Sequence, residues 1–215
     1  MVSDTRLGIV VGLEAEAQIA RRFGVPVEVG GGHAAGAAAA SARLVAQGVR
    51  GLVSFGLAGG LDPALGAGTV LVPATVLLDG KRWDASPALM LWLGGPTAGA
   101  LYGGGQVVAT VAAKAALYAR TGAVAVDLES AAVACAAEQH GLPFAVFRVV
   151  CDPATRDLPH AALVALDTAG RIGAMRVALA VLARPWQIPA LIHLGADAAK
   201  ARRALVTRTQ ATGRL

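Results

Sequence analysis

Five carboxylates follow or close runs that read as buried strands: Glu14 and Glu16 after residues 7–12, Asp127 and Glu129 at the end of 123–127, and Asp152 after 144–150. In open α/β sheets ligands collect at the carboxyl ends of the strands. Acids gathered there have proton transfer and hydrogen-bond acceptance as their chemistry. Asp127 reads as a structural acid, and Glu14 and Glu16 compete for one place beside the first strand. The glycine-rich stretch Gly56-Leu57-Ala58-Gly59-Gly60-Leu61 also follows a strand, residues 51–55, and reads as a turn where missing side chains let a ligand approach the backbone.

Several common chemistries are disfavoured. The glycine stretch is not GxGxxG and no crossover helix follows it; no Walker A sequence, HExxH or paired CxxC occurs. No metal and no resident cofactor are expected. The histidines at 33, 140, 160 and 193 lack ligand spacing. His33 stands apart because it follows Gly30-Gly31-Gly32 and opens a helix, which makes Gly32 and His33 a candidate anion-binding position.

Positioning these acids falls to an alternation of strand-like and helical segments. Residues 7–12, 25–29, 51–55, 69–78 with a bend at Pro73, 106–111, 123–127 and 144–150 read as strands. Residues 14–23, 34–47, 112–120, 129–140, 160–168 and 170–183 read as helices. That rhythm predicts an α/β fold with a largely parallel sheet flanked by helices. Residues 80–105 are the least regular, with Trp83, Trp92 and Tyr102 among glycines and prolines, and are expected to form a lid or a pocket wall.

The 215 residues are 55% hydrophobic and 15% charged, enough to bury a large core. Net charge is +5, but the arginines are scattered until the last fifteen residues and no aromatic platform accompanies them, so nucleic acid is not the expected partner. Two cysteines, Cys135 and Cys151, without a signal-peptide pattern or a spanning apolar run imply free thiols and a cytoplasmic location. After Arg184-Pro185, residues 188–207 read as an amphipathic basic helix, with Leu191, Leu194, Ala198, Ala201 and Leu205 opposite Lys200, Arg202 and Arg203. The chain divides into an α/β domain at 1–184 and a basic helical extension at 185–215.

The segments Val11-Gly12-Leu13-Glu14-Ala15-Glu16, Ser54-Phe55-Gly56-Leu57-Ala58-Gly59-Gly60-Leu61, Val126-Asp127-Leu128-Glu129-Ser130-Ala131-Ala132 and Val149-Val150-Cys151-Asp152 resemble, in order, four hallmarks of the purine nucleoside phosphorylases and methylthioadenosine/adenosylhomocysteine nucleosidases. The resemblance implies a three-layer phosphorylase/hydrolase-like fold with a central mixed, largely parallel sheet, and cleavage of a purine N-glycosidic bond. It implies that Asp152 shares or donates a proton at N7 of the leaving base and that Glu129 accepts hydrogen bonds from the ribose hydroxyls. Glu16 would activate the attacking water. Leu128, Ala58, Gly59 and Cys151 would complete the substrate site. A homo-oligomer is expected on the same ground.

Phosphate remains a possible co-substrate. The family's phosphorylases place an arginine and a serine where this chain has Ser54 and Leu57, so hydrolysis is the favoured reading. The tail from Arg184 to Leu191 resembles that of the hopanoid-associated phosphorylases, which implies adenosylhopane as a lipid-linked substrate and contact of the basic helix with the inner membrane surface. The alternatives are a methylthioadenosine/adenosylhomocysteine or futalosine nucleosidase, and a catalytically silent nucleoside-binding protein.

Overall fold

The computed structural model describes residues 6–159, 162, 186 and 188–212. The elements run β1 (Leu7–Val11), α1 (Glu14–Ala20) with a 3-10 turn at Arg21–Phe23, β2 (Val27–Val29), α2 (Ala34–Ala46), β3 (Gly51–Gly60), β4 (Val70–Leu71), β5 (Pro73–Leu78), β6 (Lys81–Asp84), α3 (Pro87–Trp92), β7 (Ala98–Gly103), α4 (Val111–Thr121), β8 (Ala125–Asp127), α5 (Ser130–Gln139), β9 (Phe144–Asp152) and α6 (Ile188–Thr212). Their strands form one mixed, mostly parallel sheet in the order β2-β1-β3-β8-β7-β5-β6, with β9 beside β3 and β4 beside β9.

The sheet is sandwiched because its central strands are apolar on both faces. Val10, Leu52, Val146 and Val150 pack with α2 and α5 through Leu44, Val133 and Ala137. Their chain neighbours Ile9, Val11, Val53, Phe55 and Phe147 pack on the other face with α1, α3 and α6 through Ile19, Leu89 and Leu205. Neighbours on one strand thus feed opposite layers, as the two-residue period of a strand requires. Alanines at 37, 40, 134 and 137 let α2 and α5 sit close to each other and to the sheet.

β3 is the seam. Its first half pairs in parallel with β1, from Leu7↔Gly51 to Val11↔Phe55. Its second half runs on past the end of β1, and Gly59 and Gly60 pair antiparallel with Val126 and Ala125 of β8. β9 accompanies it from Leu52↔Phe144 to Ala58↔Val150, where the register shifts. The ends of β1, β8 and β9 therefore meet beside the second half of β3, which gathers the acids.

The structure corrects the expected elements in three places. The stretch 56–60 is strand and not turn, because β9 lies alongside to pair its backbone. Residues 106–110 form no strand; they are the loop leading to α4, with Thr110 as its N-cap accepting from the Ala113 amide. The stretch 80–105 is β6, α3 and β7 for most of its length. Trp83 there is buried and donates to Glu138, and Trp92 packs on Phe23, so neither walls a pocket.

α6 spends its apolar stripe on the protein core: Ala201 and Leu205 are buried in the layer that holds α1 and Phe147, while Lys200, Arg202 and Arg203 face out. No helix among the described residues is long and apolar enough to cross a membrane. The helices expected at 160–168 and 170–183, and the division at 184, fall outside the described residues apart from Ala162.

Candidate active site

A cavity of about 270 Å3 opens at the seam. Glu16, Ala58, Gly59, Leu128, Glu129, Cys151 and Asp152 all line it, together with Gly32 and the loop residues Gln106, Val107 and Val108. His33 is not among its lining residues. Its Nδ1 accepts from the Gly36 amide, so the imidazole itself caps α2 where an anion would have sat.

Glu14 and Glu16 part company at the first turn of α1. Glu14 is exposed and pairs with Arg21 at 2.7 Å. Glu16 is buried: its Oε2 accepts from the amides of Gly12 at 3.0 Å and Leu13 at 2.8 Å, and its Oε1 from that of Leu57 at 2.9 Å. Burial pushes the Glu16 carboxyl above the usual carboxylate range, against the pull of Arg148 and these amides. A Cβ on Gly56 would lie 2.5 Å from Glu16 Oε1 and 2.6 Å from an Arg148 guanidinium nitrogen. Glycine at 56 therefore makes room for the acid.

Arg148, from the middle of β9, organises the second acid. Its Nη2 lies 2.5 Å from Asp127 Oδ2 and 3.1 Å from Glu129 Oε2, and donates to Ser54 Oγ at 2.7 Å. β8 ends at Asp127, whose carboxylate also takes the Ser130 amide at 3.1 Å and the Ser130 hydroxyl. Asp127 is thereby committed to structure. Glu129 keeps Oε1 buried with no partner, and Arg148 Nε likewise. A buried carboxylate oxygen left open in a cavity is the acceptor that a hydroxyl of a ligand would satisfy.

Burial, less the attraction of Arg148 and plus the repulsion of Glu16 and Asp127, pushes Glu129 up to about 7. The sign of the consequence follows from proton linkage. Between the ordinary value of 4.5 and about 7 the folded chain holds a proton on Glu129 that the unfolded chain has lost. The stability from this group is present below 4.5 and lost as pH rises through about 7. At about 1.4 kcal/mol per unit, that gap corresponds to roughly 3 kcal/mol. Unfolding in urea should accordingly need more denaturant at about pH 5.5 than at about pH 8, and Glu129→Gln should flatten the difference. An unchanged pH slope in that variant would remove Glu129 as its source.

Asp152 closes β9. Its Oδ2 pairs with Lys114 Nζ at 2.8 Å, and Lys114 is fully buried. Burial pushes the Asp152 carboxyl above the usual range, with Lys114 holding the rise back. The neighbouring Cys151 donates its thiol to the Ala58 carbonyl at 3.6 Å and is pushed by burial up to about 12. It stays a neutral thiol, so it lines the site without serving as a nucleophile.

Arg148 and Lys114 did not emerge as site residues from the sequence. A signal existed for both. Arg148 interrupts the otherwise apolar run Phe144-Ala145-Val146-Phe147-Arg148-Val149-Val150, and a charge inside a doubly buried strand must be paired. Lys114 stands three residues before Leu117, a spacing that puts the lysine on the same helix face as an apolar residue, and the structure shows that face to be buried.

Residues 96–184 match the model of the phosphorylase superfamily. No curated protein matches the sequence. Among solved structures, the chain is similar to the Helicobacter pylori 5′-methylthioadenosine/S-adenosylhomocysteine nucleosidase bound to butyl-thio-DADMe-Immucillin-A (TM-score 0.66, 16% identity, 95% of this chain and 97% of that one). It is similar to the Streptococcus pyogenes S-adenosylhomocysteine nucleosidase bound to 5-methylthiotubericidin (TM-score 0.64, 21% identity, 72% and 86%). It is also similar to a Helicobacter pylori futalosine hydrolase mutant (TM-score 0.60, 19% identity, 68% and 89%). The fold is the one these nucleosidase structures share, and the match to the superfamily model is confined to residues 96–184.

Proposed function

We propose that this protein hydrolyses the N-glycosidic bond of an adenine nucleoside, and that the nucleoside is adenosylhopane or one with a comparably apolar 5′ substituent. The observation that carries the reaction class is the convergence of Glu16, Glu129 and Asp152 on one mostly apolar cavity, with Glu129 Oε1 open to a donor.

Cleavage builds positive charge on the ribose and negative charge on the purine, as in other glycosyl hydrolyses. Asp152 meets the second charge by giving its proton to N7 as the pair of electrons of the C1′–N9 bond leaves with adenine. Glu129 accepts from the ribose hydroxyls and offsets the first. Glu16 takes a proton from water as its oxygen bonds to C1′. Solvent then returns a proton to Asp152 and removes one from Glu16, so the sum is nucleoside plus water. Burial serves both ends, because it raises both carboxyls above the usual range, which makes Asp152 an acid better matched to neutral pH and Glu16 a stronger base.

Hydrolysis is preferred over phosphorolysis because Arg148 is engaged by two carboxylates and a serine, and His33 caps its own helix. The apolar substituent is supported by the cavity rim, where Val107, Leu158 and Leu194 contribute. Ile188 and Ile192 are exposed in the first turns of α6, six and two residues from Leu194, and Trp186 is exposed just ahead of the helix. That end of the helix is the part we assign to contact with a lipid surface, since the stripe further along is used by the core. The second reading, a methylthioadenosine/adenosylhomocysteine or futalosine nucleosidase, rests on the likeness to those structures.

Adenine release from adenosylhopane and from methylthioadenosine, each with and without phosphate, tests all of this. Release from adenosylhopane without phosphate is the expected result. Release from methylthioadenosine alone favours the second reading, a phosphate requirement favours phosphorolysis, and no release from either nucleoside leaves a binding protein.

A further inference from the structure

We propose that Lys114 is the positioning residue for Asp152: its ammonium fixes one carboxyl oxygen so that the other serves the base, and it neutralises the carboxylate that remains once the proton has gone. This inference rests on the nucleosidase reading and deepens it.

Lys114 sits on the inward face of α4 and is fully buried. An ammonium in such a place is tolerated only if its donors are met. All three are: Nζ reaches Asp152 Oδ2 at 2.8 Å, the Pro153 carbonyl at 3.0 Å and the Arg156 carbonyl at 2.8 Å. The two carbonyls belong to the turn that follows β9, so one side chain ties that turn, the acid and α4 together. Asp152 Oδ1 has no hydrogen bond among the described residues.

The other charged groups nearby are otherwise occupied. Arg156 pairs with Asp197 of α6 at 2.5 Å. Asp157 accepts from the Val111 amide at the start of α4 at 2.6 Å. His193 lines the second cavity behind Asp152, which Arg156, Asp157 and Asp197 share. Cys151 stays neutral, and Glu16 lies across the site in its cage of amides. Lys114 is thus the cation bonded directly to the acid.

In the step itself the Asp152 O–H bond breaks, the N7–H bond forms and the C1′–N9 pair moves onto adenine. Lys114 keeps its protons throughout. Its charge makes the carboxylate easier to form and fixes its direction, at the cost of lowering the pH to which the acid holds its proton.

The test compares wild type with Lys114→Met, Lys114→Gln and Lys114→Arg on two substrates. One is the adenine nucleoside that wild type cleaves; the other is p-nitrophenyl riboside, whose leaving group needs no proton. Lys114→Met should lose about 10²-fold in kcat on the nucleoside and stay within a few-fold on the nitrophenyl substrate. The alkaline limb of its kcat profile on the nucleoside should move up by about one unit, because a neighbouring cation has been removed. Lys114→Arg should bring the limb back, and Lys114→Gln, which keeps two donors for the carbonyls without the charge, should behave like Lys114→Met.

Equal losses on both substrates with an unmoved limb would make Lys114 a staple only, and unchanged turnover would deny it any role. Unfolding of both uncharged variants would overturn the proposal in favour of a purely structural ion pair. Wild type that cleaves no adenine nucleoside would instead remove the nucleosidase reading, and the absence of activity would then be seen before any variant is compared.

Discussion

Asp152→Asn should lower kcat for adenine release by about 10³-fold while leaving the protein folded. The substituted side chain keeps an oxygen to accept from Lys114, so the turn after β9 stays tied at Pro153 and Arg156. What it lacks is the acidic proton. In wild type, burial holds the Asp152 carboxyl above the ordinary carboxylate range, with Lys114 holding the rise back. Single-turnover adenine release separates this loss from any change in product departure, and adenine binding measured by calorimetry should survive. A variant that releases adenine at the wild-type rate would take the leaving-group role from Asp152. A variant that binds no adenine and melts early would show that the residue had been holding the site together.

The part of the site legible in the sequence is the part defined by local pattern. β1 and β9 are apolar runs but for Arg148, and acids just past or closing such runs stand out, which is how the pair Glu14 and Glu16 and the acid Asp152 are found. Glu129 is found by the motif around it. The choice between Glu14 and Glu16 needed the fold, because only the backbone at Gly12, Leu13 and Leu57 decides which carboxylate turns inward. Leu57 is 41 residues away from Glu16, a contact no local window contains.

Non-local pairing also explains the elements that were misread. Residues 106–110 carry two valines, which favour a strand by propensity, but among the described residues no strand pairs with them, and the valines line the cavity instead. The glycines of 56–60 disfavour a strand by propensity, yet β9 and β8 pair with them. α6 was legible as amphipathic. Which surface its stripe would cover was not, since a period of 3.6 residues is the same whether the partner is lipid or Phe147.

The largest stability effect should come from Arg148→Met. The guanidinium is enclosed by Asp127, Glu129 and Ser54, with Glu16 and Gly56 on its other side. Its removal leaves acids buried without their cation, a loss of about 3–5 kcal/mol where one partner of a buried pair is deleted. That loss should depend on pH in a definite direction. Glu129 and Glu16, deprived of the arginine that holds them down, rise further above the ordinary range, so they are neutral in the fold at low pH and forced to be charged at high pH. Urea unfolding should show the variant close to wild type at about pH 5.5 and far less stable at about pH 8. Adding Asp127→Asn and Glu129→Gln to Arg148→Met should return much of the stability, because the uncompensated charges leave with their carboxylates. If the triple variant is no better than the single one, the arginine contributes through packing of its stem in β9, and the charge cluster is not what holds the seam. Recovery of stability without recovery of adenine release would divide the roles instead: the cluster would be the support, and the Glu129 oxygen left open in the cavity the part that the substrate requires.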